Sequence, residues 1–237
     1  WVTPFFGMDG GHFVPGSTIA NLTALWAARQ LKQVTRIAAS EKSHLSIRKS
    51  AEILGLDYIG LPTNAQHQLD TSGLTQLDQT AVVLTAGTVA TGTIDSLTRP
   101  AGAAWVHVDA AWAGPMRLTD RLSHRLDGIE EADSVGFSAH KWLYQPKGSA
   151  MVMFRDATAA HDALSYGGGY LATPNIGLLG SAPAVAVPLA AMLLSWGKTG
   201  LAKRIESDMA KADQLAELIK LDSRFRLWGP NQTGVVV

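Results

Sequence analysis

The chain has 237 residues, 46% of them hydrophobic and 17% charged, which is typical of a globular protein with one large core or two small ones. Lysine plus arginine and aspartate plus glutamate both number 20, so nothing favours a polyanion such as nucleic acid as a partner. The lack of cysteine excludes disulfides and thiolate chemistry and fits a cytoplasmic protein, and no uninterrupted apolar run is long enough to span a membrane.

Short β-rich runs alternate with helical patterns along most of the chain. The predicted strands cover residues 36–39, 57–61, 81–85, 105–109, 134–138 and 150–154. The predicted helices cover residues 18–31, 44–54, 71–79, a short stretch near 119–126, and two consecutive segments at 184–196 and onward to 221. Nearly continuous apolar strands that alternate with helices predict an α/β fold with a mainly parallel, doubly wound sheet.

A glycine-containing loop precedes the first predicted helix, where residues 11–18 read Gly-His-Phe-Val-Pro-Gly-Ser-Thr. Glycines let backbone N–H groups approach a phosphate, and the start of a helix favours its negative charge. Ser17 stands where a nucleotide-binding P-loop requires lysine, which argues against a nucleotide. The alternative is a glycine turn followed by a Ser/Thr helix cap.

Two weaker signals lie at other predicted element ends. His44 follows Ser43, a reasonable N-cap, and opens a helix near the edge where such sheets bind ligands. Thr88 lies in a segment, residues 85–92, that leaves a buried strand and turns through glycines. A capping histidine and an ordinary turn are the alternatives. No group of His, Asp and Glu has convincing metal-ligand spacing, so no metal is predicted.

Asp109 and Lys141 are the most informative pair, because each lies where a short apolar strand gives way to polar residues. A lysine can hold the aldehyde of pyridoxal phosphate (PLP) as a Schiff base, while a carboxylate keeps the pyridine nitrogen protonated. A phosphate loop without lysine also suits PLP better than ATP. Alone, Asp109 could cap a strand end and Lys141 could be a snorkelling surface lysine. Together, these features all fall at the ligand-binding edge of the predicted sheet.

With these residues in place, the chain resembles the group II PLP-dependent amino-acid decarboxylases, a family that acts on glutamate, aromatic amino acids, diaminobutyrate and related substrates. The segments that carry the resemblance are residues 16–25, 43–44, 85–88, 107–111 and 140–143. Their order and spacing are similar to those of the family. The resemblance implies the large domain of fold type I, with a mainly parallel seven-stranded sheet and helices on both faces.

The resemblance also implies a role for each matching residue. Lys141 would form the internal aldimine, Asp109 would pair with the pyridine nitrogen, and Ala111 and His44 would cover the two ring faces. Thr88 would lie near the phenolic oxygen of the ring or the substrate carboxylate. The residues implied to hold the phosphate are Ser17, Thr18, Ser138 and His140.

Two segments resemble ones that reach the neighbouring subunit's site in this family's dimers, so a homodimer with active sites at the interface is expected. Ser181 would contact the phosphate in trans, and Tyr170, on a mobile loop, would protonate the substrate carbon after carbon dioxide leaves. The chain departs from the family at several positions. Ser138 replaces a usual Asn or Asp, Trp112 a frequent Tyr, and Ala182 a frequent Arg. None of these departures touches the Asp–Lys pair.

The resemblance implies that residues 1–200 form the PLP-binding large domain without its N-terminal segment. Residues 201–237 would be a linking helix and the truncated start of a C-terminal small domain. The implied activity is decarboxylation of an L-amino acid to its amine by a cytoplasmic carboxy-lyase. An aminotransferase, a carbon–carbon lyase or a non-catalytic relative are the alternatives. A nicotinamide-binding protein is disfavoured, because no Gly-x-Gly-x-x-Gly opens the first helix.

Overall fold

A mixed seven-stranded sheet forms the centre of the computed structural model, which describes residues 1–181 and 183–237. Its strands are β1 (Gly10–Val14), β2 (Arg36–Ser40), β3 (Asp57–Leu61), β4 (Thr80–Thr85), β5 (Trp105–Asp109), β6 (Ser134–Ser138) and β7 (Ala150–Phe154). They lie in the order β1-β7-β6-β5-β4-β2-β3. Strands β3, β2, β4, β5 and β6 are parallel neighbours, and β7 is antiparallel to both β6 and β1.

Helices cover both faces of this sheet. They are α1 (Ser17–Lys32), α2 (Ser46–Leu54), α3 (Ala157–Ala163) and α4 (Ala186–Leu221). Side chains alternate across the strands, so Val83 on β4 packs in the core beneath α1 and α2, while its neighbour Val82 packs in the opposite core, which includes α4. Every residue of β4, β5, β6 and β7 is buried, as expected for strands covered on two sides. The predicted α/β fold, with its mainly parallel seven-stranded sheet, is confirmed.

One predicted helix is wrong. Residues 71–79 contain only a short 3-10 turn, Leu77–Gln79. Before it, the carboxylate of Asp70 accepts the backbone N–H of Ser72 at 2.9 Å, and Gln76 has a left-handed φ of 53°. Such local side-chain bonds and positive φ angles compete with a helix. The predicted stretch near 119–126 is likewise a 3-10 turn, Ser123–Leu126.

Strand β1 and helix α3 were among the elements missing from the sequence prediction. Glycines are rare in strands, yet β1 begins at Gly10 and Gly11 because a neighbouring backbone comes close. A Cβ on Gly11 would lie 2.3 Å from the carbonyl oxygen of Val152 on β7. Helix α3 is short and is capped by Asp156, whose carboxylate accepts the N–H of Ala159 at 2.9 Å.

The two predicted C-terminal helices form the single element α4, interrupted at Gly197, whose φ is 59° and ψ −177°. The proposed division after residue 200 falls inside this helix and stays a prediction. Beyond α4 the chain folds back onto the sheet: Thr233 is fully buried, its hydroxyl donates to the carbonyl of Gly92 at 2.8 Å, and its own carbonyl accepts the Trp112 indole N–H at 2.8 Å. None of the helices in the described residues has the length and apolarity needed to cross a membrane.

Candidate active site

The candidate site lies at the edge where the parallel strands β4, β5 and β6 end. Thr85 and Asp109 are the last residues of β4 and β5 and are register partners across the sheet. Strand β6 ends at Ser138, and Lys141 follows three residues later. Helix α1 starts at the same edge. Its first residue, Ser17, accepts a hydrogen bond from the hydroxyl of Ser138 at 2.8 Å. The carboxyl ends of parallel strands and the start of a helix therefore meet there.

Asp109 is a buried carboxylate, with only 4% of its surface exposed. One oxygen accepts the backbone N–H of Ala111 at 3.1 Å, and the other accepts the side-chain amide of Asn21 at 2.9 Å. Among the described residues, no lysine, arginine or histidine forms an ion pair with it. Burying an ionised carboxylate costs free energy unless a positive partner lies next to it. The protonated nitrogen of a PLP ring is such a partner, so this carboxylate fits the cofactor.

Lys141 is half-buried on the same side of the sheet. Burial lowers the pKa of its ammonium, while the carboxylate of Asp109 opposes that shift, so the two charges lie within electrostatic range of each other. The amine nitrogen also lies 5.8 Å from the centre of the Trp112 ring. A lowered pKa increases the neutral fraction of the amine, which is the form that attacks a carbonyl.

Three of the four residues predicted to hold a phosphate, Ser17, Thr18 and Ser138, lie at the start of α1. Gly16 has a φ of 105°, which an L side chain rarely adopts, and it precedes the first helical turn, where the backbone N–H groups of Ser17 and Thr18 have no partner within the helix. The first turn carries no acidic residue. Nδ1 of His140 is buried without a partner among the described residues. Burial, and then the charge of Lys141, lower the pKa of His140, so it is suited to donate as a neutral ring.

The residues predicted to contact the ring itself are held by local bonds. Ala111 is buried, and its backbone N–H donates to the carboxylate of Asp109. His44 is half-buried, with Nδ1 at 2.8 Å from the hydroxyl of Ser46. Thr88 is buried, but its hydroxyl lies 2.8 Å from that of Thr91 and accepts the N–H of Thr93 at 3.1 Å. The hydroxyl of Thr88 is therefore already used within its own turn.

The turn that follows β4 is fixed against Trp112. Gly87 has a φ of 98°, and a Cβ there would lie 2.9 Å from the Trp112 ring. A larger residue at this position would push the indole away and strain the backbone. Trp112 therefore does two things: it holds this turn, and it forms a wall beside the amine of Lys141.

Comparison with known proteins identifies this arrangement. The family model of the pyridoxal-dependent decarboxylase conserved domain matches residues 1–237. The chain belongs to this family. The predicted family, its carboxy-lyase class and PLP as its cofactor are thereby confirmed at the level of the family.

Individual relatives agree. An aspartate 1-decarboxylase from Aliivibrio fischeri is 31% identical over 264 residues, covering 92% of this chain and 48% of that protein. An L-2,4-diaminobutyrate decarboxylase from Rhizobium meliloti is 30% identical and covers 96% of this chain and 52% of that protein. This chain thus spans about half the length of these relatives.

Solved structures show the same fold. The crystal structure of mouse CSAD superposes with a TM-score of 0.86 at 25% identity, covering 99% of this chain and 57% of that one. The crystal structure of Oryza sativa TDC with PLP and tryptamine superposes with a TM-score of 0.85 at 25% identity, covering 96% of this chain and 55% of that one.

The residues predicted to act in trans are exposed in this pyridoxal-dependent decarboxylase chain. Tyr170 is 89% exposed, in the glycine-rich segment after α3, and Ser181 is exposed as well. Ala182, the position of a frequent Arg, lies outside the described residues. The roles of Tyr170 and Ser181 therefore stay predictions that depend on a second subunit.

Sequence reasoning missed a group of buried polar residues behind Asp109, although two of them lie in the segments that carry the resemblance. They share burial and mutual hydrogen bonds and come from α1, α2, β5 and β6: Asn21, Ser46, Trp105, His107 and Ser134. The available signal was polar residues in otherwise apolar elements. Such residues require buried partners.

We expect the free energy of unfolding to fall by about 2 kcal/mol per buried histidine between about pH 7 and about pH 5. Burial lowers the pKa of His107 to about 4, despite the opposing charge of Asp109. The unfolded chain, with an ordinary histidine pKa, takes up the proton first, so stability is lost as the pH falls. His12, whose pKa is also lowered to about 4, adds to the same slope. Urea unfolding at the two pH values measures the total.

The variant His107→Gln measures how much of this pH-dependent loss of stability comes from the His107 ring. Its loss of stability between the two pH values should be smaller than that of the unmodified protein by about 2 kcal/mol. An equal loss in both proteins would show that His107 is not held neutral in the fold.

Proposed function

We propose that the protein is a PLP-dependent decarboxylase that converts an L-amino acid to the corresponding amine and carbon dioxide. The observation that carries this proposal is the buried carboxylate of Asp109, without an ion-pair partner in the described part of the chain, within electrostatic range of the lowered-pKa amine of Lys141. Bound PLP supplies an electron sink for the electron pair left on the substrate carbon as carbon dioxide leaves.

Each residue predicted at the site has one task in this proposal. Lys141 holds the cofactor covalently through its amine, and Asp109 holds the proton on the pyridine nitrogen. Ala111 and His44 cover the ring faces, Thr88 lies on the substrate side, and the hydroxyls of Ser17 and Ser138, already 2.8 Å apart, hold the phosphate with Thr18 and His140. The site would favour decarboxylation by orienting the bond to the departing carboxylate, which is a positioning effect.

The proton that replaces carbon dioxide comes from Tyr170 of a second subunit. Its exposure on the glycine-rich segment leaves the hydroxyl available to another chain. Ser181 of the same subunit would add a contact to the phosphate. We therefore propose that the enzyme is a homodimer with shared active sites. The cysteine-free composition supports a cytoplasmic location.

A substrate screen tests the activity. The purified protein is incubated with PLP and each common amino acid in turn, and carbon dioxide, amine and keto acid are measured. Carbon dioxide and amine in equal amounts support the proposal. Keto acid without carbon dioxide would assign an aminotransferase instead, and tight PLP binding without any product would indicate a non-catalytic relative.

For Tyr170→Phe we expect amine formation to slow by about 10²-fold or more, because a positioned general acid contributes about 10²- to 10⁴-fold. Without this acid, more of the substrate would leave as a carbonyl compound, either after oxidation by dioxygen or after transfer of its amino group to PLP, so carbonyl products should rise. Tyr166→Phe is the matched control, since Tyr166 is an exposed tyrosine of the same segment. Unchanged amine output in Tyr170→Phe would reject this tyrosine as the acid.

A further inference from the structure

A continuous chain of buried hydrogen bonds runs from the sheet interior to Asp109. The indole N–H of Trp105 donates to the hydroxyl of Ser134 at 2.9 Å, and that hydroxyl lies 2.9 Å from Nδ1 of His107. Nε2 of His107 lies 3.0 Å from the amide oxygen of Asn21, whose amide nitrogen donates to Asp109 at 2.9 Å. All five residues are buried.

The two ends of this chain, together with the neutral ring of His107, fix the direction of every bond. An indole N–H can only donate, and an ionised carboxylate can only accept. Ser134 therefore passes its own hydrogen to Nδ1 of His107, and the ring carries its proton on Nε2. The oxygen of Asn21 accepts that proton, which turns its NH₂ group toward Asp109. Burial, which lowers the pKa of His107 to about 4, keeps the ring in this neutral form.

The second hydrogen of the Asn21 amide starts a branch toward His44. It is donated to the hydroxyl of Ser46 at 2.9 Å. That hydroxyl must then give its own hydrogen to Nδ1 of His44, 2.8 Å away, and the backbone N–H of Ser46 also points at this nitrogen, at 3.2 Å. His44 therefore carries its proton on Nε2. One amide group thus faces both the carboxylate and the histidine.

Space for this amide exists because Gly136 lies beneath it on β6. A Cβ at residue 136 would lie 3.3 Å from both the amide oxygen of Asn21 and the Cβ of Ala20. The glycine lets α1 approach the sheet closely enough for a short side chain to reach Asp109. An isosteric aspartate has at most one hydrogen to give, so only an amide can supply both branches.

We propose that Asn21 is a positioning residue that couples the Asp109 carboxylate to the His44 ring, stabilising the first as an anion and the second as the Nε2–H tautomer. This inference rests on the proposed function, in which these two groups contact the cofactor ring at its nitrogen and on one face. Asn21 itself acts through them. A PLP-binding decarboxylase without this coupling would still fold, and it would hold the ring less well.

The test compares Asn21→Asp, which keeps the shape, with Thr23→Val, which removes another buried polar group from the same helix. PLP affinity is measured by absorbance titration from about pH 6 to about pH 9. At low pH the introduced carboxyl keeps a proton and donates to Asp109, so affinity approaches that of the unmodified protein. At high pH two carboxylates face each other, and affinity should fall by about 10- to 100-fold. Thr23→Val should show no such pH dependence.

The second readout needs no cofactor. Nitrogen-15 NMR of labelled histidine reports which ring nitrogen of His44 carries the proton. The unmodified protein should show the Nε2–H form. In Asn21→Asp the hydroxyl of Ser46 loses its donor and turns to the new carboxylate. Nδ1 of His44 then keeps only the longer contact from the backbone N–H of Ser46, so the preference should relax to a mixture. Ser46→Ala, which cuts only this branch, should give the same mixture while PLP affinity changes by less than about threefold.

The coupling requires both results. PLP affinity of Asn21→Asp within about threefold of the unmodified protein at every pH would overturn it, as would a His44 tautomer unchanged in both variants. Failure of the unmodified protein to bind PLP would instead refute the proposed function. The histidine measurement would then decide alone whether Asn21 orders His44.

Discussion

Lys141→Ala should abolish covalent attachment of PLP and the visible absorbance of the bound cofactor, and lower turnover by about 10³-fold or more. No other amine replaces it in this proposal, because attachment needs both a lowered pKa and a position facing Asp109. Borohydride reduction of the unmodified protein should leave a pyridoxyl group on the peptide that contains Lys141. The same treatment of the variant should leave no label on this peptide.

Lys147→Ala is the matched control for this experiment. Lys147 is an exposed lysine that follows six residues later in the same connection between β6 and β7, so its loss removes an equal charge close to the site. We expect its spectrum and labelling to match those of the unmodified protein. A normal visible band in Lys141→Ala, or a label on Lys147, would show that the attachment point has been assigned wrongly.

The parts of the fold that could be predicted were those in which one residue pattern decides the outcome. Strands β5, β6 and β7 have the predicted bounds, because each is a short, mainly apolar run that ends at or next to a polar residue, namely Asp109, Ser138 and Arg155. Strand β1 could not be found in this way. Its glycines are explained only by the close approach of Val152, a contact between residues far apart in the chain. The error at 71–79 has the opposite cause, because its helical spacing was outweighed by turns at Ser72 and Gln76.

Some residues of the candidate site could likewise be predicted from the sequence, and others could not. Asp109, Lys141 and Ser138 follow from the rule that parallel strands present ligand-binding residues where they end. The bonds behind them could not be predicted. Asn21 and His107 lie 86 positions apart, and their contact depends on how closely α1 sits on the sheet. A buried Asn in a helix signals that a partner exists, but it does not say which.

Asp109→Asn should lower the rate of decarboxylation at saturating PLP by about 10²- to 10³-fold. Removing one partner of a buried charge pair costs about 3–5 kcal/mol, and in the proposed site the pair would be the carboxylate and the protonated ring nitrogen. The substitution keeps the size of the side chain and an oxygen that can still accept the Asn21 amide, so the fold should survive. Turnover per bound cofactor separates this effect from weaker binding.

Asp95→Asn is the matched control, since Asp95 is also a buried carboxylate and lies in the segment that joins β4 to β5. Its two oxygens accept only backbone N–H groups, that of Leu69 at 2.6 Å and that of Thr85 at 2.7 Å. Loss of that carboxylate should lower the melting temperature and leave turnover per bound PLP within about threefold of normal. If Asp109→Asn behaved in this same way, losing stability but not turnover, its carboxylate would serve the fold alone. A selective loss of turnover is the result that requires a cationic ring in front of it.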